Sequence, residues 1–217
     1  MHIKTAFFDL DGTLTDSSEG ITNSVAYALR RKGIPVPDRR ELYRFIGPPL
    51  ADEMMEVYCV SRDEAVEMVG WFREYFEDRG IFENRLYGGI AEMLARLREN
   101  GWRLAVATSK PEPFAEIILE HFGIRSYFGT VAGSTMDESR ASKEAVLTYA
   151  LEKAGARGEE SVMVGDRKHD MLGAKKSGIA ALGVLYGYGS REELTMAGAD
   201  ALAESVPDVA DLLIRRF

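Results

Sequence analysis

The chain has 217 residues, 46% of them hydrophobic and 29% charged, and its 27 basic against 35 acidic side chains give a formal charge of −8. That length and apolar content suffice for one good-sized core, or a core with a small appended unit. The charge balance excludes the basic footprint of a nucleic-acid binder, the single cysteine (Cys59) excludes an intrachain disulfide, and no apolar run nears the roughly 20 residues of a membrane span.

Residues 3–8 are short, apolar and bounded by acidic and glycine residues, which predicts a buried strand. Before them, Met1-His2-Ile3-Lys4 lacks the apolar stretch of a signal peptide, so a cytoplasmic protein is expected. The next segment, 15–85, holds no convincing buried strand. Helical stretches are expected at 21–31, 39–45, 52–58 and 62–76, broken by Ile34-Pro35-Val36-Pro37 and Gly47-Pro48-Pro49. Trp71, Phe72, Tyr75 and Phe76 read as the core of this helical insert. An insert that enters and leaves at the carboxyl edge of a strand is well placed to act as a lid. After it, Ile90, Met93, Leu94 and Leu97 recur at helical spacing before Asn100-Gly101. Residues 104–107, 162–164 and 180–184 are further buried strands, with 128–132 a weaker one. Helices are expected around Phe114 to Phe122 and from about Glu144 to Ala150. Strands alternating with helices predict an α/β fold with a parallel sheet covered on both faces, in which ligands bind at the carboxyl ends of the strands.

Four clusters fall at those ends. Asp9-Leu10-Asp11-Gly12-Thr13 follows the first strand; residues two apart in extended chain share a side, so both carboxylates can converge, and Gly12 permits a tight turn. Gly165-Asp166-Arg167-Lys168-His169-Asp170 follows residues 162–164 and adds two acids. Four such aspartates suit a hard, oxygen-loving cation such as magnesium, although Asp166 or Asp170 also suits a helix cap. Thr108-Ser109-Lys110-Pro111, read as the start of a helix, offers hydroxyls and backbone N–H groups to an anion, or a plain cap. Lys143 precedes the next helix, where a cation opposes the helix dipole.

Together, in this order, the four clusters resemble the motifs of the haloacid dehalogenase superfamily, and the resemblance spans essentially the whole chain. Within the family the chain resembles the phosphoglycolate phosphatase-like branch; Phe45-Ile46-Gly47-Pro48-Pro49-Leu50 is similar to a stretch seen there and in related 5′-nucleotidase-like proteins. The resemblance implies a Rossmann-like core at 1–14 and 86–217, and a helical cap at 15–85. It implies a magnesium-dependent phosphatase acting on small phosphate esters, as a monomer or homodimer. Asp9 would be the nucleophile, Asp11 the acid and base, and Asp9, the Asp11 carbonyl, Asp166 and Asp170 the metal ligands. Thr108 and Lys143 would hold the phosphoryl oxygens, and Gly12 and Ser109 would lend backbone N–H groups. Lys110, Arg44 and Gly47 would touch the leaving group. His169 is expected to serve beside the site rather than in the chemistry. A dehalogenase would leave Asp11, Asp166 and Asp170 without a purpose. A β-phosphoglucomutase-like enzyme or a 5′-nucleotidase shares the machinery, and a phosphoacceptor signalling domain lacks the insert.

Overall fold

The computed structural model describes residues 4–137 and 139–217. Ile3, the first residue of the first predicted strand, and Met1 and His2, on which the signal-peptide reading partly rests, lie outside the described residues. The chain divides into two compact units, Met1–Thr15 with Leu86–Phe217, and Asp16–Arg85.

The first unit is built on a six-stranded parallel sheet. Its strands are β1 (Thr5–Phe8), β4 (Arg103–Pro111), β5 (Thr130–Ser134), β6 (Ser161–Gly165), β7 (Ala180–Val184) and β8 (Ala201–Ala203), in the order β5-β4-β1-β6-β7-β8. The helices between them are α4 (Ile90–Glu99), α5 (Glu112–His121), α6 (Lys143–Ala154), α7 (Lys168–Lys176), α8 (Arg191–Met196) and α9 (Val206–Arg216). Alternate residues of β1 point to opposite faces, and both faces are apolar. Phe7 joins a core of Ala105, Met163, Val146, Leu147, Met171 and Ala174 beneath α6 and α7. Phe8, fully buried, meets the ring of Phe128 edge-on at 6.3 Å. Burying each such ring is worth about 1.5–3 kcal/mol.

From β1 the chain steps first to β4 and β5 on one side, then returns to β6 on the other. In register, Phe8 lies level with Val106 of β4 and Val164 of β6. The next residue, Asp9, therefore emerges where the strand order reverses. A crevice opens at that point in doubly wound sheets.

β8 was not expected from the sequence, and neither were α8 and α9. β4 runs on through Pro111, with a register irregularity against β5 between Ala107 and Pro111. Thr108 to Pro111 thus belong to a strand end, and α5 starts at Glu112; the reading of this cluster as a helix start is corrected. Lys143 is the first residue of α6 rather than the one before it, with Ser142 as the cap accepting from the Ala145 N–H at 3.2 Å.

The second unit comprises α1 (Ser18–Lys32), a 3-10 turn (Arg39–Phe45), α2 (Leu50–Tyr58), α3 (Arg62–Tyr75) and a π turn (Phe76–Gly80). The stretch read as helix at 39–45 is 3-10, opened by a reciprocal cap between Asp38 and Glu41. Two-residue strands, β2 (Thr15–Asp16) and β3 (Arg85–Leu86), pair with each other where the chain passes between the units. Within the helical unit, Phe72 stacks on Phe76 at 5.5 Å, and both are buried with Leu29, Phe45, Met54 and Met68. Trp71 lies beside the Arg31 guanidinium, 5.5 Å from its ring centre. Among the described residues, no helix is long and apolar enough to cross a membrane.

Candidate active site

Asp9 is the first residue beyond β1, and its N–H donates to the Val164 carbonyl of β6 at 2.9 Å. This bond continues the ladder one residue past the strand, so the Asp9 side chain is fixed by sheet geometry. Asp166 follows β6 directly, and Asp170 is the third residue of α7. Asp9, Asp166 and Asp170 are all buried, and each offers an oxygen within 4.8 Å of the others. A helix beginning just after a strand tip returns its first inward-facing side chain to that tip, which is how Asp170 joins the pair.

Asp170 serves two ends. One oxygen accepts from the Arg167 N–H at 3.0 Å, capping α7, and the other meets Lys143 Nζ at 2.8 Å. The N-cap of α7 is Arg167, so Asp170 takes part in the cap as the third helical residue, and the same carboxylate also lies in the acidic cluster. Lys143 Nζ also lies 2.9 Å from Asp9 Oδ1 and donates to the Ala107 carbonyl at 3.1 Å. Burial alone would lower the Lys143 ammonium, but the Asp170 and Asp9 carboxylates outweigh it and hold it above the usual lysine value.

The turn after Asp9 closes on itself. The Leu10 carbonyl accepts from the N–H groups of Leu14 at 2.9 Å and Thr15 at 3.0 Å, and Gly12 N–H donates to the Thr15 carbonyl at 2.8 Å. Gly12 adopts φ +83°, and a Cβ there would lie 2.2 Å from Asp166 Oδ2. Glycine is thus required both by backbone conformation and by the close approach of Asp166. Its N–H, expected to face an anion, donates to the Thr15 carbonyl within the turn. Asp11 is buried; Lys110 Nζ, also buried, lies 3.0 Å from its Oδ2, while its Oδ1 has no hydrogen-bond partner among the described residues. Lys110 therefore meets the acid at position 11. Thr108 is buried, and its hydroxyl accepts from the Lys110 N–H at 3.2 Å, whereas Ser109 is half-buried.

Asp166 is buried more completely than its neighbours. Its Oδ2 accepts from the Tyr188 N–H at 2.8 Å and its Oδ1 faces the Thr13 hydroxyl at 3.4 Å. Burial, then repulsion from Asp170 and Asp9, raises its carboxyl well above the carboxylate range. Burial also lifts Asp170, to about 6, with Lys143 opposing the rise and Asp9 adding to it. With all four buried carboxyls ionised against two buried ammonium groups, two negative charges are left over, which is what one divalent cation neutralises. Magnesium binds oxygens at about 2.1 Å, so its ligand atoms sit roughly 3–4 Å apart, and the three aspartates here each offer an oxygen within 4.8 Å of the others. The residues fit such an ion.

Two expected residues are not in this group. Arg44 and Gly47 belong to the helical unit, where Arg44 pairs with Glu53 at 3.0 Å and Glu56 at 3.1 Å. His169 is partly buried beside Asp170, and burial, then the charges of Arg167 and Lys168, pushes its imidazole down to about 4. Tyr186 and Tyr188, whose contacts reach Thr13 and Asp166, were missed. The Tyr186-Gly187-Tyr188-Gly189 alternation just beyond a buried strand was the available signal.

Residues 6–184 match the family of haloacid dehalogenase-like hydrolases. The chain belongs to that family. A 5′-nucleotidase of Pseudomonas aeruginosa is 47% identical over 86% of this chain and 85% of its own. A phosphoglycolate phosphatase of Vibrio parahaemolyticus is 30% identical over 97% of this chain and 96% of its own. The tyrosine-protein kinase PtkA of Mycobacterium tuberculosis is 45% identical over 84% of this chain, and the match covers 62% of the kinase's length. Among solved structures, a predicted phosphatase from Clostridium acetobutylicum superposes with a TM-score of 0.96 at 42% identity, covering 99% of both chains.

Proposed function

We propose that this hydrolase is a magnesium-dependent phosphatase that cleaves small phosphate monoesters through an aspartyl-phosphate on Asp9. One observation carries the reading: the buried convergence of Asp9, Asp166 and Asp170 within 4.8 Å, with Lys143 bridging two of them.

Asp9, the Asp11 carbonyl, Asp166 and Asp170 would hold magnesium, which supplies the positive charge that lets a carboxylate approach a phosphate dianion. The Asp9 carboxylate attacks phosphorus, its oxygen forms the new P–O bond, and the ester P–O bond breaks. Asp11 gives its proton to the departing alcohol oxygen, so the alcohol leaves neutral. Asp11, now a carboxylate, takes a proton from water as that water attacks phosphorus, and free phosphate and the Asp9 carboxylate return. Lys143 and Thr108 offset charge on the phosphoryl oxygens as it grows. Lys110 meets the Asp11 carboxyl and holds it after its proton has left, and Lys110 and Ser109 are the residues we assign to the leaving group from the sheet unit.

The stronger similarity to the Pseudomonas 5′-nucleotidase favours a nucleoside 5′-monophosphate as substrate, and the fuller coverage by the Vibrio enzyme keeps phosphoglycolate beside it. The test is phosphate release from both esters, a hexose phosphate and p-nitrophenyl phosphate, with and without magnesium. We expect magnesium-dependent release, and Asp9→Asn to reduce it at least about a thousandfold. Wild-type turnover by Asp9→Asn, or conversion of the hexose phosphate to an isomer without release, would sink the reading.

A further inference from the structure

The loop that follows β7, residues 185–190, takes no part in the scheme above, yet it touches both acid-bearing turns. Because β7 runs parallel to β6, with Gly183 level with Gly165, the loop emerges beside Asp166. The Tyr188 N–H donates to Asp166 Oδ2 at 2.8 Å, and the Tyr186 hydroxyl donates to the Thr13 carbonyl at 3.0 Å. Between them sits Gly187, where a Cβ would lie 2.4 Å from both Asp166 Cβ and the Gly12 carbonyl. No side chain of any size fits there, so the loop backbone is pressed against the two turns at once.

Tyr186 acts on a carbonyl that the turn itself does not use. The turn's internal bonds end on the carbonyls of Leu10 and Thr15, and the Leu14 carbonyl accepts from the Tyr87 N–H at 3.2 Å. The Tyr87 ring meets the Tyr186 ring edge-on at 5.1 Å, which holds the phenol in place. Asp11 is thereby fixed from two ends: Lys110 holds its carboxylate, and Tyr186 holds the backbone two residues on.

We propose that Tyr186 is a positioning residue for the proton transfer: its hydroxyl, bonded to the Thr13 carbonyl, fixes where Asp11 presents its carboxyl to the leaving oxygen. This rests on the phosphatase reading above. A misplaced general acid matters most when the leaving alkoxide is basic, and least for a phenolate that departs without a proton. That difference separates positioning from mere stability.

The experiment compares Tyr186→Phe with wild type on glycerol phosphate and on p-nitrophenyl phosphate. Tyr186→Phe keeps the ring and its contact with Tyr87 and removes only the donor. We expect kcat/KM on glycerol phosphate to fall about tenfold, as a part of what general acid catalysis contributes, with a much smaller loss on p-nitrophenyl phosphate. The pH profile on glycerol phosphate should change while the magnesium half-saturation stays near that of wild type. Equal losses on the two esters, or no loss on either, would overturn the proposal. Gly187→Ala should act in the other direction, raising the magnesium half-saturation by displacing Asp166; an unchanged half-saturation in a folded variant would also count against the loop's role. Asp9→Asn assayed in parallel keeps the two readings apart: its retaining turnover refutes the phosphatase scheme, whereas only the Tyr186 comparison bears on positioning.

Discussion

Lys143 is enclosed, with 3% of its side chain exposed, and its ammonium meets Asp9, Asp170 and the Ala107 carbonyl within 3.1 Å. A buried ammonium in such a place is stable only because the two carboxylates attract it, and they are tolerable only because it is there. Removing one member of a buried ion cluster strands the others, and the cost is desolvation without compensation. We therefore expect Lys143→Met to lower metal-free stability by about 3 kcal/mol or more in urea titrations. Losing a cation beside the developing phosphoryl charge should also reduce kcat at least about a hundredfold. A variant as stable as wild type without magnesium would mean that the carboxylates find another counter-charge. The same reasoning explains why Asp170 can cap α7 with one oxygen and still serve the site with the other.

At the scale of elements, α2 and α3 are set by their ends. α2 stops at Cys59, which adopts φ +53°, the left-handed conformation that glycine takes without penalty. A side chain there costs about 1 kcal/mol, so Cys59→Gly should raise stability by up to that amount, less the extra freedom glycine gives the unfolded chain. Thermal unfolding read on the helical unit checks it, and a lower midpoint would show that the Cys59 side chain packs usefully. α3 begins at Ser61 with a reciprocal cap, its hydroxyl accepting from the Glu64 N–H at 3.3 Å while Glu64 accepts from the Ser61 N–H at 2.9 Å.

The elements most legible in the sequence are those whose local signal is strong. The apolar runs of β1, β6 and β7 are flanked by Asp or Gly, and the acids that follow β1 and β6 announce the site. β8 escaped because Ala201, Leu202 and Ala203 are three small or lone apolar residues with no alternation to read. The end of β4 was mistaken for a helix start because Thr, Ser and Pro favour caps locally, whereas pairing of Pro111 with Ser134 decides in favour of strand. The role of Tyr186 escaped for a different reason: the Tyr-Gly-Tyr-Gly alternation marks the loop but not its partner, Thr13, which is 173 residues away in sequence and is brought near only by the sheet order.

The chain as a whole carries a formal charge of −8, and its buried cluster is itself short of positive charge. The raised carboxyls of Asp166 and Asp170 express that shortage. A carboxyl whose folded pKa lies above its unfolded value holds its proton more tightly when folded. Its contribution to stability is present at low pH and is lost as the pH rises, for Asp170 through about 6. Under the proposed function, magnesium would compete with those protons for the same oxygens, so its stabilisation would run the opposite way, strong above that pH and weak below it. His169, pushed down to about 4, titrates in the reverse sense to the two carboxyls. A raw midpoint against pH therefore mixes the two trends, and only the difference made by adding magnesium isolates the cluster. At a hundredfold excess over its dissociation constant, one bound ion adds about 2.7 kcal/mol. We expect a shift in thermal midpoint of that origin near pH 8, shrinking toward nothing near pH 5, as protons fill Asp170 and Asp166. Asp166→Asn with Asp170→Asn should abolish the shift at both pH values. An equal magnesium shift at both pH values in the wild type would mean that the ion sits away from these carboxylates, and the charge argument that joins the fold to its chemistry would fail.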